Sequence, residues 1–279
     1  MGEPFIGSEA VISGVTTHNE LRRRYRRVFR DVYVSGGTEL TAAVRAKAGW
    51  LWSRRRGVVA GFSASALYGS KWVDARQPAE LIHDNRHRLP GIQVWGDHLQ
   101  PDEVRLIDGI PVTTPPRTAL DLACWYPTLT AVPAIDALAR ACELKLADVD
   151  MLVQRHRGRR GLQQARESLE LVDAGAQSPK ESWLRVILMQ AGLHRPQAQI
   201  PVYSGFGDVI AYLDMGWEDA KVAVEYDGDH HRSDRSQYFW DIRRLEMLER
   251  RGWIVVRVVT TDRPADIIRR VRAALAHRT

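Results

Sequence analysis

The chain has 279 residues, 44% of them hydrophobic and 27% charged, which is the profile of a soluble globular protein long enough for two domains. No segment reaches the roughly 18 uncharged apolar residues that span a bilayer, and Met1 to Ala10 lacks the basic region and apolar run of a secretory signal. We therefore expect a cytoplasmic protein with no membrane association, in which Cys124 and Cys142 are buried free thiols.

The charge of the chain favours an anionic partner. The formal net charge is +6, and nucleic acid is the commonest partner of a basic protein. Arginines are concentrated in three clusters: Arg22, Arg23, Arg24, Arg26, Arg27 and Arg30; Arg54, Arg55 and Arg56; and Arg155, Arg157, Arg159 and Arg160. One such cluster is typical of a solvated helix face, but three favour a phosphate-binding surface. We predict DNA contacts at Arg22, Arg23, Arg54, Arg55 and Arg159, and the oligomeric state stays open between a monomer and a homodimer.

The N-terminal elements alternate between helical and extended patterns. Residues 17–34 are predicted to form a helix, Arg-rich over residues 21–30, followed by a short strand. Short alternating apolar runs separated by Pro, Gly and Asp predict three strands within residues 78–112. Apolar residues at helical spacing predict helices at residues 40–53, 58–68, 114–123, 130–141, 146–156 and 162–171.

A small, polar segment that ends in Pro, residues 173–179, is the best candidate for a linker. Beyond it the pattern becomes helix, strand, strand, strand, helix, strand, helix. We predict an α/β protein with an α+β domain over residues 1–175, part of it winged-helix-like, and a second domain over residues 176–279.

Acidic residues are concentrated on two predicted strands of the second domain. Asp214 lies in a strand over residues 208–217, and Glu225 and Asp227 lie in the next strand. Residues two apart in a strand point to the same face, so Glu225 and Asp227 should project together. Carboxylates at the end of a buried strand need compensation, and their oxygens suit Mg²⁺ or Mn²⁺. The three acids therefore predict a metal site for phosphodiester hydrolysis.

Three further residues are candidates for the same catalytic site. Glu181 follows Ser178 at the spacing of a capping box, and it can also face the metal as a fourth acid. His231 suits a general acid or base, although a His beside an Asp is also typical of a loop. Arg244 can bind a DNA phosphate or form a surface ion pair on its helix. The competing interpretation of Asp227 is a turn, because Asp-Gly is a common turn dipeptide.

The C-terminal motifs resemble those of the DUF559 family, which is similar to the very-short-patch-repair endonucleases of the PD-(D/E)XK superfamily. The matching residues are Asp214, Val-Ala-Val-Glu-Tyr-Asp-Gly-Asp-His-His at 222–231, Asp-Ile-Arg-Arg at 241–244 and Gly-Trp-Ile-Val-Val-Arg at 252–257. The resemblance implies a mixed sheet flanked by helices, as in restriction endonucleases, and Mg²⁺-dependent DNA cleavage. It implies that Asp214 and Glu225 bind metal and that His231 is the catalytic histidine. Asp227 stands where many members have a catalytic Lys.

The N-terminal part resembles, more loosely, the AbiEi antitoxin regions that precede such domains in actinobacterial proteins. The matching residues are Val-Tyr-Val at 32–34, Ser-Ala-Ser-Ala-Leu-Tyr-Gly at 63–69 and Ile-Pro-Val-Thr-Thr-Pro-Pro-Arg-Thr-Ala-Leu-Asp-Leu at 110–122. The winged helix of that family is shortened here.

Three hypotheses for the function follow from these features. The first, a metal-dependent DNA endonuclease or nickase in repair or defence, accounts for both the acids and the arginines. The second is a catalytically inactive, DNA-binding, antitoxin-like transcriptional regulator. The third, a metal hydrolase with another substrate, leaves the arginine clusters unexplained. Clustered acids are costly to bury, so their presence together favours the first hypothesis.

Overall fold

The computed structural model describes residues 2–85, 89–227 and 235–278, and of residues 235–242 it describes the backbone alone. The chain divides into two compact units, Met1–Glu170 and Leu171–Thr279; the sequence places its boundary at residues 175/176. Helices and three β-sheets occur in the described part of the chain, which confirms the α/β class. No described helix has both the length and the apolar character needed to cross a bilayer.

The first part of the N-terminal unit is a small sheet with two short helices. Its strands are β1 (Phe5–Ile6), β2 (Tyr25–Phe29) and β3 (Val32–Ser35), arranged in the order β1-β3-β2. The helices are α1 (Gly7–Ile12) and α2 (His18–Arg24), and a capping box between Thr17 and Glu20 begins α2.

The predicted helix over residues 21–30 is only half correct. Helix α2 ends at Arg24, and the next five residues pair with β3 as an antiparallel strand. The reason is tertiary: Tyr25 packs edge-on against Phe5 with ring centroids 5.0 Å apart, and Phe29 is buried. Aromatic residues with a strand to pair against favour the extended form over a longer helix.

A five-stranded sheet and the α-helices α3 to α8 make up the rest of the described part of the N-terminal unit. The sheet order is β6-β5-β4-β8-β7, and three of these strands, β5, β6 and β7, confirm the strands predicted from alternation. The elements are α3 (Ala42–Trp52), β4 (Val58–Val59), α4 (Gly61–Leu67), β5 (Ala79–Ile82), β6 (Ile92–Trp95), β7 (Val104–Ile107), β8 (Ile110–Thr113), α5 (Pro115–Trp125), α6 (Thr128–Cys142), α7 (Leu146–Arg155) and α8 (Leu162–Glu170). Cys124 and Cys142 are free thiols, half-buried rather than buried.

The turn between α7 and α8 depends on a glycine at residue 161. Gly161 has a φ of +83°, and a Cβ there would overlap the carbonyl oxygen of Cys124. We expect Gly161→Ala to lower the free energy of unfolding by about 1–3 kcal/mol, because an L-residue is strained at this φ and the backbone of α5 cannot give way. Gly158→Ala is the control, since nothing lies within 4 Å of its Cβ position. Equal urea midpoints for the two variants would contradict the prediction.

The C-terminal unit is a four-stranded mixed sheet flanked by helices. The sheet order is β12-β11-β10-β9, in which β9, β10 and β11 are antiparallel and β12 runs parallel to β11. The elements are α9 (Pro179–Gln190), β9 (Gln197–Tyr203), β10 (Val209–Trp217), β11 (Val222–Asp227), α10 (Arg235–Arg250), β12 (Ile254–Val259) and α11 (Pro264–Ala276).

Two buried clusters pack against the C-terminal sheet. One joins Leu184 of α9 and Ile267 of α11 to Val224 of β11. The other contains Leu213 of β10 and Leu248 of α10. The sheet is therefore buried by helices that hold the acid-bearing strands β10 and β11 in place.

Candidate active site

The paired strands β10 and β11 bring the predicted acids together. Met215 lies opposite Val224, and continuing this antiparallel register places Asp214 opposite Glu225. The Oδ2 atom of Asp214 accepts a hydrogen bond of 3.0 Å from the backbone N–H of Tyr226. The sequence predicted this juxtaposition from two alternating runs and the turn between them.

A cleft of about 160 Å³ lies over these strands. Its walls come from β10, β11, α10 and β12. The lining residues are Asp214, Glu225, Tyr226, Asp227, Arg244, Leu245 and Arg257. Three predicted acids and one predicted phosphate-binding arginine thus share a single concave site, as expected of a site that binds a small charged group.

Two arginines form ion pairs with two of the acids. Arg244 donates to both carboxylate oxygens of Glu225, from Nη1 at 2.9 Å and from Nη2 at 2.6 Å, and Nη2 also donates to the carbonyl oxygen of Tyr212 at 2.8 Å. Arg257 forms an ion pair with Asp227. Arg257 could not be predicted as a site residue from the sequence, because only the parallel pairing of β11 with β12 places it beside the acids.

No arginine among the described residues pairs in this way with the third acid, Asp214. Burial raises the pKa of its carboxyl group from 3.8 to about 6, and the N–H of Tyr226 opposes the rise. The charges of Glu181 and Glu225 raise the pKa further, while Arg244 lowers it. Asp214 is therefore a carboxylate whose ionisation is costly in this structure.

The structure forms half of the capping box predicted at Glu181, and the role of Glu181 as a fourth acid facing a metal stays a prediction. Ser178 caps α9 by accepting from the N–H of Glu181 at 3.2 Å, and Pro179 occupies the first turn. The carboxylate of Glu181 accepts from the N–H of Gln177 at 2.9 Å and from the side chain of Gln199 at 3.2 Å. It is also close enough to Asp214 to raise the pKa of that group.

The predicted metal ligands Asp214, Glu225 and Asp227 are chemically suited to a hard cation, since carboxylate oxygens are what Mg²⁺ binds. Among the residues that the structure describes, however, no group of three or more His, Cys, Asp or Glu side chains is arranged to hold a metal ion. Two of the acids instead face guanidinium groups. His231, the predicted catalytic histidine, lies outside the described residues.

The arginines predicted to contact DNA fall into three situations. Arg22 and Arg23 are exposed on α2, and no described residue forms an ion pair with either. Arg54 pairs with Asp31 at 2.7 Å, and Arg55 pairs with Glu9 at 2.6 Å, so part of the positive charge is neutralised locally.

Arg159 requires a correction, because it is not a surface residue. Only 8% of its side chain is exposed, and its Nη2 atom donates to Asp97 and Asp121, both at 2.6 Å. The guanidinium carbon lies 5.6 Å from the ring centroid of Trp125. The Nη2 atom of Arg159 is therefore engaged by carboxylates, and this arginine is not a free charge on the surface.

Comparison with known proteins identifies relatives of the chain. Residues 60–171 match the AbiEi antitoxin C-terminal domain. Two Mycobacterium tuberculosis proteins, the uncharacterized protein Rv2248 of strain H37Rv and the uncharacterized protein MT2308 of strain CDC 1551, are each 30% identical over 200 residues, which is 72% of this chain and 73% of theirs. The chain belongs to the family of these mycobacterial proteins. No solved structure matches it significantly.

The domain match confirms the AbiEi resemblance for the two motifs at residues 63–69 and 110–122. In this family member, the matched region begins between β4 and α4 and ends just after α8. The motif at residues 32–34 and the acidic cleft lie outside the matched region, and the DUF559 resemblance of the C-terminal unit stays a prediction.

Proposed function

We propose that this protein is a metal-dependent DNA endonuclease or nickase, active in repair or defence, whose active site is the acidic cleft of the C-terminal unit. The observation that carries the proposal is Asp214, a largely buried carboxylate with a raised pKa beside Glu225 and Glu181. A cation bound beside these groups would favour their ionised forms, and Mg²⁺ or Mn²⁺ also binds phosphate oxygens.

Asp214 and Glu225 are the residues that would hold the metal, with Asp227 as a third ligand. When bound, the metal supplies a Lewis acid and an activated water. Arg244 and Arg257 line the same cleft, and a guanidinium fork matches a phosphate as well as it matches a carboxylate. A DNA phosphate in the cleft can therefore replace the carboxylate as the partner of Arg244.

Cleavage assays test this proposal directly. Supercoiled and single-stranded DNA are incubated with the full chain in Mg²⁺, Mn²⁺ or EDTA. We expect nicked or linear products only with metal, and a rate at least roughly a hundredfold lower for Asp214→Asn and Glu225→Gln, because each substitution removes a group essential to the chemistry. Asp208→Asn, an exposed acid in the loop before β10, is the control and should cleave normally. Identical products from all four proteins in EDTA would reject the proposal.

A second candidate function is favoured by the match of residues 60–171 to the AbiEi antitoxin C-terminal domain. In a catalytically inactive, DNA-binding regulator, the pairs Arg244–Glu225 and Arg257–Asp227 would have a structural role. This candidate predicts DNA binding that weakens steeply with salt, is insensitive to Mg²⁺ and to Asp214→Asn, and is accompanied by no cleavage. The same protein preparations distinguish the two candidates.

A further inference from the structure

The N-terminal unit contains a pocket of about 400 Å³, a size that suits a small-molecule ligand. The described residues that line it include four arginines, two histidines and one acid, Asp97. The residues come from the loop after β6, the first turn of α5 and the turn that follows α7. We call it the arginine–histidine pocket.

The floor of the arginine–histidine pocket is a buried ionic network with little freedom to move. Arg117 has 1% of its side chain exposed; it donates to Asp121 at 2.7 Å and to the carbonyl oxygen of His98 at 3.0 Å, and it pairs with Glu103. The carboxylate of Glu103 also bonds the Nε2 atom of His156 at 2.7 Å. These contacts fix the orientation of the His156 ring, as a carboxylate commonly does for a functional histidine.

Several donors around this floor have no partner in the part of the chain that the structure describes. The side chain of Arg159 is more than nine-tenths buried, and its Nη1 atom makes no hydrogen bond. Arg157 is exposed, and no carboxylate among the described residues pairs with it. With Nε2 of His156 engaged by Glu103, its Nδ1 atom is the ring nitrogen left for a ligand.

We infer that the arginine–histidine pocket binds the phosphate group of a nucleotide or of a nucleic acid strand end. Arg157 and the unpartnered Nη1 of Arg159 supply guanidinium N–H groups, which a phosphate accepts through several oxygens at once. Asp97 and Asp121 already accept hydrogen bonds from Nη2 of Arg159. The ligand would therefore accept from the remaining N–H groups of the guanidinium without displacing a carboxylate. The site lies wholly in the N-terminal unit and does not depend on the acidic cleft being a nuclease.

Binding is tested on the full chain with three probes: adenosine monophosphate, a 5′-phosphorylated oligonucleotide and the same oligonucleotide with a 5′-hydroxyl. Dissociation constants are measured by calorimetry, with the shift in melting temperature as a second readout. We expect Arg157→Gln to weaken binding of the phosphorylated probes about tenfold, the effect of losing one charge-assisted contact. Arg160→Gln is the matched control, because Arg160 is a neighbouring exposed arginine outside the pocket lining.

The probes also identify the source of the phosphate. Binding of adenosine monophosphate that is lost in Arg157→Gln and kept in Arg160→Gln supports a nucleotide site. The same pattern for the 5′-phosphorylated oligonucleotide alone supports a strand-end site. Equal affinities of the two variants for every probe, or no preference for the 5′-phosphate over the 5′-hydroxyl, would overturn the inference. Binding is measured in EDTA, where the nuclease proposal expects no cleavage, so this outcome is separable from failure of that proposal.

Discussion

Asp214→Asn is expected to make the protein more stable at pH 8 while abolishing metal-dependent cleavage. Burial and neighbouring carboxylates raise the pKa of Asp214 from 3.8 to about 6, so its ionised form is disfavoured in the folded chain. Each pKa unit corresponds to about 1.4 kcal/mol, which sets an upper bound near 3 kcal/mol for the shift. Because the side chain is partly exposed, solvent screening reduces this energy. We expect the free energy of unfolding of Asp214→Asn at pH 8 to exceed that of the wild type by about 1–2 kcal/mol.

The destabilisation by ionised Asp214 should appear in the pH dependence of unfolding. Between pH 4 and 6 the folded chain keeps a proton on Asp214 that the unfolded chain has already released. The favourable contribution of protonated Asp214 to the free energy of unfolding is therefore fully present below pH 4 and is lost as the pH rises to 6. Urea denaturation at pH 4, 5, 6 and 8 should show that the difference between Asp214→Asn and the wild type appears over this window. Parallel curves for the two proteins would contradict it.

Metal provides the complementary measurement on the same pair of proteins. If Asp214 is a ligand, Mg²⁺ should raise the urea midpoint of the wild type and of Asp208→Asn, because a ligand that binds only the folded state stabilises it. The midpoint of Asp214→Asn should not respond. If Mg²⁺ stabilised Asp214→Asn as much as the wild type, Asp214 would not be a metal ligand. Only the prediction on pH dependence would then stand.

Arg117→Met is expected to cause the largest loss of stability, about 3–5 kcal/mol, because it removes the buried cation shared by two buried acids. Arg117 is fully buried between Asp121 and Glu103. Desolvation already raises the pKa of Asp121, and the charges of Arg159 and Arg117 oppose the rise. Without Arg117, the Asp121 carboxylate keeps only Arg159, and one of its oxygens makes no hydrogen bond even in the wild type.

Denaturation of three variants checks this prediction. Arg155→Met is the control: Arg155 pairs with Asp102 and Glu103 from an exposed position, where ion pairs contribute little. Adding Glu103→Gln to Arg117→Met should recover part of the lost stability by removing one of the two buried negative charges that Arg117 compensates. The deficit of Arg117→Met should also shrink toward pH 4, where the carboxylates take up protons. Equal stability of Arg117→Met and Arg155→Met would show that the buried network contributes nothing.

The local parts of the candidate site could be predicted from the sequence. The Ser178 cap, the following Pro179 and the antiparallel strands with Asp214 and Glu225 were all predicted correctly. These features depend on residues that are neighbours in the chain, so hydrophobic alternation and capping preferences are sufficient to define them. The α/β class and the order of the last seven elements follow from the same local patterns.

Only the tertiary structure decided which charged groups meet. Arg257 is 30 residues from Asp227, and Arg159 is 38 residues from Asp121. An arginine looks the same in the sequence whether it is buried beside a distant carboxylate or surrounded by water, so the burial of Arg159 could not be predicted. The same limit applies to the stretch after Arg24, which forms β2 because Phe5 and β3 lie beside it. Propensity and charge are properties of a residue, whereas pairing and burial are properties of the packed chain.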